Sequence, residues 1–189
     1  NVTYDYKNLN DDTYTLKYTA YAALIDKTSV CQGYASLFYR MALDAGVDAR
    51  VISGTAGGPH AWNIADIDGE YYNLDSTWDA GRTEYSYFLK NMDDFSEHTR
   101  DEAYSTPEFN DAYPMSETSY QDRFFYEDHI QYAVLNESSV SVWDGSAASG
   151  AFEIPAYVTH NGKTYTVVQI GYKAFYQNTN ITSVTIPDT

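Results

Sequence analysis

The sequence is poor in three features, and each shortage excludes a class of protein. It has one cysteine among 189 residues, so no internal disulfide can form; a reducing compartment and a secreted protein with one working thiol both stay open. Lysine and arginine number 11 against 27 aspartates and glutamates, which gives a net charge of −16. This charge repels phosphate groups and argues against nucleic-acid partners and anionic membrane surfaces. No apolar run approaches the ~20 residues of a membrane helix, so no membrane insertion is predicted.

The sequence is nevertheless rich in core-forming residues. Hydrophobic residues make up 43% of the chain, and 20 residues are tyrosine, so one domain or two small ones can fold. No signal peptide opens the sequence. The abrupt start at Asn1 and the stop at Thr189 inside a strand-like run suggest part of a longer protein, whose targeting signals we expect to lie outside this sequence.

Two amphipathic helices are predicted in the first quarter of the chain. The first covers residues 13–25, and the second covers residues 30–45, with Ser29 as its N-cap and Gly46 as its stop. The second helix places Cys31 in its first turn. Unsatisfied backbone N–H groups and the helix dipole favour a thiolate at this position, so Cys31 is a candidate nucleophile.

A β-hairpin is predicted next, because the dipeptide Asp68-Gly69 separates two strand-like runs. A two-residue turn pairs Ile67 with Glu70, so the numbers of paired residues sum to 137. In this register His60 and Asp75 are diagonal neighbours on one face of the sheet, within the ~7–8 Å over which long side chains meet. A hydrogen bond between imidazole and carboxylate is therefore expected. With Cys31 they would complete a nucleophile, base and orienter for thiol acyl transfer, provided the helix packs against the sheet face that carries His60.

Each of these residues also has an ordinary structural explanation. A lone cysteine in a helix is usually a small buried apolar residue. A histidine at a strand start is often structural, and Asp75 can simply cap the following turn. The joint spacing of the three residues favours the functional interpretation.

The rest of the sequence predicts a second folded unit, and its histidine spacing does not predict a metal site. Residues 83–121 are acidic and irregular, whereas the sequence after Phe124 alternates as in an all-β unit, which places a domain boundary near residues 120–124. His60, His98, His129 and His160 lack paired zinc spacing, so no metal and no cofactor are expected, and the last three are interpreted as surface or structural residues.

Three motifs resemble those of the bacterial transglutaminase-like superfamily. They are Val30-Cys31-Gln32-Gly33-Tyr34-Ala35, His60-Ala61-Trp62-Asn63 and Asp75-Ser76-Thr77-Trp78-Asp79. The resemblance implies an α+β fold: a papain/transglutaminase-like catalytic domain over residues 1–120, with a helix packed on an antiparallel sheet, and a small all-β unit over residues 125–189.

The resemblance also implies an activity. In this family the matching cysteine, histidine and aspartate are catalytic, so Cys31, His60 and Asp75 would perform thiol acyl transfer on a protein or peptide substrate: peptide hydrolysis, deamidation or transamidation. Trp62 and Trp78 are expected to line the substrate cleft. The backbone N–H of Cys31 would point at a developing oxyanion. Tyr4 or Tyr6 could supply a second donor, although tyrosines this numerous are more often packing residues. The alternative is a catalytically inactive surface-binding or adhesion module that keeps the fold.

The C-terminal segment resembles one unit of the surface-antigen type of bacterial leucine-rich repeat. The matching residues are Gly171-Tyr172-Lys173-Ala174-Phe175 and the run from Ile181 to Asp188. One repeat cannot bury its apolar face alone, so we expect the natural protein to continue with more repeats. Such arrays imply a secreted or cell-surface protein with possible cell-wall or surface partners.

Overall fold

The computed structural model describes residues 2–187 and divides the chain into two compact units, Asn1–Tyr120 and Gln121–Thr189. Asn1, Asp188 and Thr189 lie outside the described residues, and with them the last residue of the repeat-like motif. No helix among the described residues is long and apolar enough to cross a membrane.

The first unit combines one long helix with an antiparallel sheet. Its elements are β1 (Thr3–Tyr4), β2 (Thr28–Ser29), α1 (Cys31–Asp44), β3 (Ala49–Thr55), β4 (Pro59–Ile67), β5 (Glu70–Leu74), β6 (Thr99–Arg100) and α2 (Pro107–Ala112). The main sheet has the order β5-β4-β3-β6, and β1 pairs with β2 in a separate small sheet. Short 3₁₀ turns fill much of the remaining chain. The fold is thus of mixed helix and sheet content, as predicted for this region.

The hairpin register is confirmed residue by residue. Ile67 pairs with Glu70, and the ladder continues without a bulge to the pair Asn63 and Leu74. Asp68 and Gly69 both have positive φ angles, 58° and 91°, as the tight turn that matches strand twist requires. The ladder stops at Leu74, so Asp75 is the first residue beyond it.

Helix α1 covers one face of this sheet, and it is not the face that carries His60. Its Phe38 and Ala42 pack in a core cluster with Ala65 and Leu74. Residues of β4 alternate in direction, so His60, Trp62 and Ile64 point to the other face. The apolar stripe of the helix therefore lies on the face opposite His60, and only its first turn, with Cys31, reaches His60 and the Ala61 N–H near the start of β4.

The predicted helix over residues 13–25 is also wrong. The chain forms a 3₁₀ turn, Thr15–Tyr18, then an extended Thr19 and a π-turn, Ala22–Asp26. The reason is Lys17, which is fully buried and donates from Nζ to the carbonyl oxygens of Asn8, Leu9 and Asp11 at 2.8–2.9 Å. These three hydrogen bonds satisfy the buried ammonium and hold the preceding loop, which overrides the local helical pattern.

The acidic and aromatic segment after residue 83 covers the second face of the sheet. The core cluster there contains Ile52, Trp62, Ile64 and Phe95. Partly buried aromatic residues of the same segment pack against that cluster, among them Tyr87 and Phe109. This segment, which the sequence predicts to be irregular, thus covers the sheet face opposite α1.

The second unit is all-β. Its strands are β7 (Phe124–Glu127), β8 (Ile130–Asn136), β9 (Ser139–Asp144), β10 (Gly150–Glu153), β11 (Tyr157–His160), β12 (Lys163–Ile170) and β13 (Ile181–Thr185). Five of them form a sheet in the order β11-β12-β9-β8-β7, and β10 pairs with β13 in parallel. Its core is built on fully buried apolar residues such as Ile130, Val140 and Val142.

Candidate active site

Cys31 is the first residue of α1, as predicted. The predicted cap is wrong: Val30 occupies the N-cap position without a side-chain hydrogen bond, and the Ser29 hydroxyl donates to the Lys17 carbonyl instead. The first turn lies so close to its neighbours that a Cβ on Gly33 would overlap Ser29 Oγ and the Thr19 carbonyl oxygen. Glycine in the Cys31-Gln32-Gly33 motif therefore permits the packing that places the thiol.

The thiol is half-buried and interacts with His60. Burial raises the pKa of Cys31, but a hydrogen bond to His60, the charge of that imidazole and the backbone N–H groups of Ala61 and Gln32 outweigh burial and lower the pKa. Ala61 and Gln32 belong to different elements, the start of β4 and the first turn of α1. A sulfur placed between two such N–H groups and an imidazole is stabilised as a thiolate.

His60 binds Asp75, as the hairpin register predicts. Its Nε2 lies 2.7 Å from Asp75 Oδ2, and the two side chains are 7% and 0% exposed. Because Nε2 faces the carboxylate, Nδ1 is the nitrogen left for the thiol. Burial lowers the pKa of His60, but the hydrogen bonds and charges of Asp75 and Cys31 raise it to about 9. These interactions favour a protonated imidazole beside an ionised thiol.

Asp75 both caps a turn and orients the imidazole. Its Oδ1 accepts the backbone N–H groups of Thr77 and Trp78 at 2.9 and 3.1 Å, while Oδ2 accepts from His60. Asp75 therefore caps the turn, and the same turn holds its carboxylate against the His60 imidazole.

A second histidine, which the sequence analysis set aside as surface or structural, binds the same carboxylate. His98 Nε2 lies 3.0 Å from Asp75 Oδ2, and its side chain is completely buried. Burial raises the pKa of Asp75, but the hydrogen bonds from His60 and His98 outweigh it and lower the pKa to about 2. His98 Nδ1 is buried and has no hydrogen-bond partner among the described residues. Nε2 is therefore the nitrogen that donates its N–H to Asp75, since a carboxylate oxygen can only accept.

One sequence signal pointed toward His98. Gly54 lies inside β3 and pairs with Arg100 of β6. A Cβ at Gly54 would lie 2.1 Å from the Thr99 carbonyl oxygen and 2.8 Å from the Trp62 ring. A glycine within a strand often marks such a close backbone approach, and here the approaching strand follows His98 directly.

The three side chains also test the prediction that no metal binds. Ligand-capable atoms of His60, Asp75 and His98 lie within 4.8 Å of one another, a convergence that sequence spacing did not indicate. Both imidazoles, however, lie at 2.7 and 3.0 Å from the same oxygen. These are hydrogen-bond distances, so hydrogen bonds from both imidazoles to Asp75 account for the convergence. The absence of a metal stays a prediction.

The two predicted cleft tryptophans differ in position. Trp62 is 1% exposed and stacks behind His60, with ring centroids 6.3 Å apart. The prediction that Trp62 contacts substrate is wrong, because the apolar alternation of β4 turns it into the core. Trp78 is half-buried, and its ring centroid lies 5.6 Å from that of His60 and 4.5 Å from that of His98. It shields the histidine pair, and contact with substrate stays a prediction for Trp78.

An open cleft of about 600 Å³ leads to the thiol. Besides Cys31 and His60, its walls include Gln32, Ser53, Asp101, Tyr18 and Tyr104. The volume is in the range of small-molecule and peptide side-chain sites. The reacting atoms are thus accessible from one side, while Trp62, His98 and Asp75 close the other.

Of the two tyrosines considered as oxyanion donors, Tyr4 contacts Cys31. Burial raises the pKa of Tyr4 to about 12, with a further contribution from Cys31, whose backbone N–H and thiol hydrogen-bond with the phenol. Tyr6 is 77% exposed. A phenol that stays protonated at neutral pH beside the thiol is an available donor.

Part of the chain is similar to known proteins. Residues 1–76, which contain Cys31, His60 and Asp75, match the family model described as Transglutaminase-like superfamily. The chain is 36% identical over 64 residues to the kyphoscoliosis peptidases of Homo sapiens and Mus musculus; the match covers 27% of this chain and 10% of each relative. The chain thus spans about a tenth of their length. A solved structure titled "Crystal structure of a TGase" aligns over 44% of this chain and 24% of its own, at 25% identity and a TM-score of 0.38.

Proposed function

We propose that the first unit, which carries a transglutaminase-like superfamily domain, catalyses thiol-dependent acyl transfer on peptide or protein amides. The observation that carries this proposal is the continuous chain of interactions from the Cys31 thiol through His60 to Asp75. Buried titratable groups whose pKa values are shifted by specific charged partners, and which lie at a cleft, mark candidate functional sites. Among residues 121–187 no carboxylate, imidazole or basic side chain is buried.

The proposed reaction has two steps. The Cys31 thiolate attacks the amide carbonyl carbon and forms a C–S bond; as the C–N bond breaks, the His60 imidazolium gives its proton to the leaving amine. The neutral imidazole then takes a proton from an incoming water or amine, whose oxygen or nitrogen attacks the thioester and releases the thiolate. We favour water as the acceptor, which makes the enzyme a hydrolase.

Two groups are proposed to stabilise the oxyanion. The Gln32 backbone N–H lies at the start of α1 beside the sulfur, and the Tyr4 hydroxyl is the second donor. Donors fixed in a partly buried site act strongly on the charge that develops in the transition state.

We assign His98 the role of a positioning residue. Its N–H donates to Asp75 Oδ2, the oxygen that His60 also contacts, and this hydrogen bond restrains the carboxylate beside the imidazole and favours its ionised form. It does not touch the substrate, because it is completely buried.

We also propose that the protein acts outside the cell. The support is the repeat-like segment at the C-terminal end, where β13 pairs in parallel with β10, as successive strands of a stacked repeat do. Detecting the natural protein on intact cells or in culture medium with an antibody tests this, and an exclusively internal pool would contradict it.

The test of the activity has two parts. First, alkylation of Cys31 by a small neutral reagent is followed between about pH 5 and about pH 10. Rapid labelling well below the ~8.5 of a free thiol supports the thiolate, whereas slow labelling with ordinary pH dependence supports an inactive binding module. Second, the protein and Cys31→Ala are incubated with a peptide library and a small amine, and cleavage, deamidation and transamidation are separated by mass. Identical products from both proteins would end the proposal.

A further inference from the structure

We infer that the cleft beside Cys31 selects a substrate with a positively charged side chain, arginine or lysine, next to the reacting amide, and that Asp101 is the residue that recognises it. The inference rests on the proposed function, because a preference for one side chain is a substrate specificity only if the protein turns over a substrate. The cleft's charge can be tested without turnover.

The charge of the cleft carries the argument. Within residues 2–187, the side chains that line this cleft include one carboxylate, Asp101, and no lysine or arginine. The neighbouring Arg100 does not neutralise that carboxylate, because its guanidinium donates to Asn73 Oδ1 and contacts the Met115 sulfur, each at 3.0 Å. The thiolate and imidazolium of the reacting pair cancel each other. The remaining charge in the cleft is therefore negative.

Asp101 is held in place rather than free to move with solvent. Its backbone N–H donates to the Ser53 carbonyl at 2.9 Å, and the Ser53 hydroxyl donates to its Oδ2. Its own carbonyl accepts the N–H of Tyr104. A carboxylate offers about four acceptor sites, so one hydroxyl leaves most of its capacity for a ligand. A fixed carboxylate loses less entropy on binding a cation than a mobile one.

The surroundings also suit a long cationic side chain. The rings of Tyr18 and Tyr104 line the same cleft, and aromatic rings bind both the methylene stem and the charged head of arginine and lysine. The net charge of −16 adds long-range attraction for basic peptides. A neutral side chain gains no charge attraction from Asp101, and an acidic side chain is repelled by it.

The direct test measures how fast Cys31 reacts with two methanethiosulfonates of similar size, one bearing a quaternary ammonium and one a sulfonate. The rate ratio of cationic to anionic reagent is compared in the wild type, Asp101→Asn and Asp12→Asn. Asp12 is an exposed acid outside the cleft lining, so its variant controls for net charge. We expect the ratio to fall about three- to tenfold in Asp101→Asn and to stay within twofold in Asp12→Asn, because the attraction decays with distance and ionic screening. Equal ratios in all three proteins would overturn the inference.

A second measurement connects the cleft to the substrate. Matched peptides with arginine, glutamine or glutamate beside the amide are compared by kcat/KM. We expect the arginine peptide to be preferred, and the preference to shrink about tenfold in Asp101→Asn, the effect of losing one charge-assisted hydrogen bond. No turnover of any peptide, together with an Asp101-dependent labelling ratio, contradicts the proposed function and leaves the charge selectivity standing. Turnover without any preference for arginine contradicts the selectivity alone.

Discussion

The two units of the chain treat buried polar groups differently. The first unit buries an aspartate and a histidine in direct contact, Asp75 and His98, and a fully enclosed Lys17. In residues 121–187 the buried polar side chains are two serines, Ser139 and Ser141, within an otherwise apolar core. Burying charge costs stability, whereas burying apolar surface provides it. The difference teaches that the second unit is built for stability and that the first gives up some stability to hold reactive groups.

The sharpest test of this contrast is Asp75→Asn. The amide keeps the size of the side chain and can still accept from the turn N–H groups, so we expect the fold to survive. Turnover should fall by roughly 10⁴-fold, as when the carboxylate of a catalytic triad becomes an amide. The measurement is kcat/KM with a cleaved peptide, and circular dichroism checks the fold. Near-normal turnover would show that Asp75 takes no part in the mechanism. The difference in buried polar groups between the two units would then have no connection with catalysis.

A smaller loss is expected for His98→Phe. Phenylalanine retains the stacking on Phe95, whose ring lies 3.8 Å away, but removes the N–H that fixes Asp75. We expect kcat to fall roughly 10- to 100-fold with little change in KM, as for hydrogen-bond partners behind metal-ligating residues. His98→Gln, which can donate an N–H, should recover part of the loss.

The matched control for His98→Phe is a substitution in the second unit. His160 stacks on Phe125 at 4.3 Å, so His160→Phe also exchanges a stacked imidazole for a phenyl ring. We expect no change in kcat. Equal losses from both substitutions, or no recovery with glutamine, would show that His98 has only a packing role.

The next largest difference that we expect between the two units is in how their stability depends on pH. The folded pKa of His60, about 9, exceeds its ordinary value of 6.5, so the folded state holds a proton that the unfolded state loses between these values. Taken alone, His60 stabilises the fold fully below about pH 6.5, and this stabilisation is lost as the pH rises through about 9. The lowered pKa of Cys31 acts in the opposite sense, because the folded thiol gives up a proton that the unfolded thiol keeps up to about pH 8.5. Activity should decline over the same upper range, because neutral His60 cannot protonate the leaving amine.

Urea unfolding followed at several pH values measures this effect. In the second unit burial raises the pKa of Tyr132 to about 12, above this window, so its unfolding should depend less on pH between about 6.5 and 9. Cys31→Ala removes the opposing effect of the thiol, while the hydrogen bond to Asp75 still raises the pKa of His60. The free energy of unfolding of this variant's first unit should therefore fall as the pH rises from about 6.5 to about 9, and an increase over this range would contradict the raised pKa of His60.

The smallest effect on turnover is expected from Ile130→Ala. Ile130 is 0% exposed in the core of the second unit, so its truncation should lower that unit's stability by about 2–5 kcal/mol. The first unit contains every residue of the proposed mechanism, so turnover should remain within twofold of wild type. Differential scanning calorimetry and kcat/KM check the two statements. A large loss of turnover at temperatures where both units are folded would show that the second unit supports the site.

Local sequence signals determined the part of the site that depends on short-range geometry. Helical periodicity from Tyr34 to Ala45 placed Cys31 at a helix start, although the Ser29 cap predicted with it was wrong. The Asp68-Gly69 turn placed His60 and Asp75 on one face. Both follow from interactions between residues close in the chain, where backbone preference and turn chemistry act directly.

Tertiary structure alone decided the remainder. The pairing of β3 with β6 brings His98 to Asp75 across 23 residues. The buried ammonium of Lys17 replaces a predicted helix, and the alternation of β4 turns Trp62 into the core. Helix α1 lies on the sheet face opposite His60, so the thiol meets the imidazole at the end of the strand. These outcomes depend on which distant segments pack together, and packing is set by burying apolar surface and pairing polar groups over the whole unit.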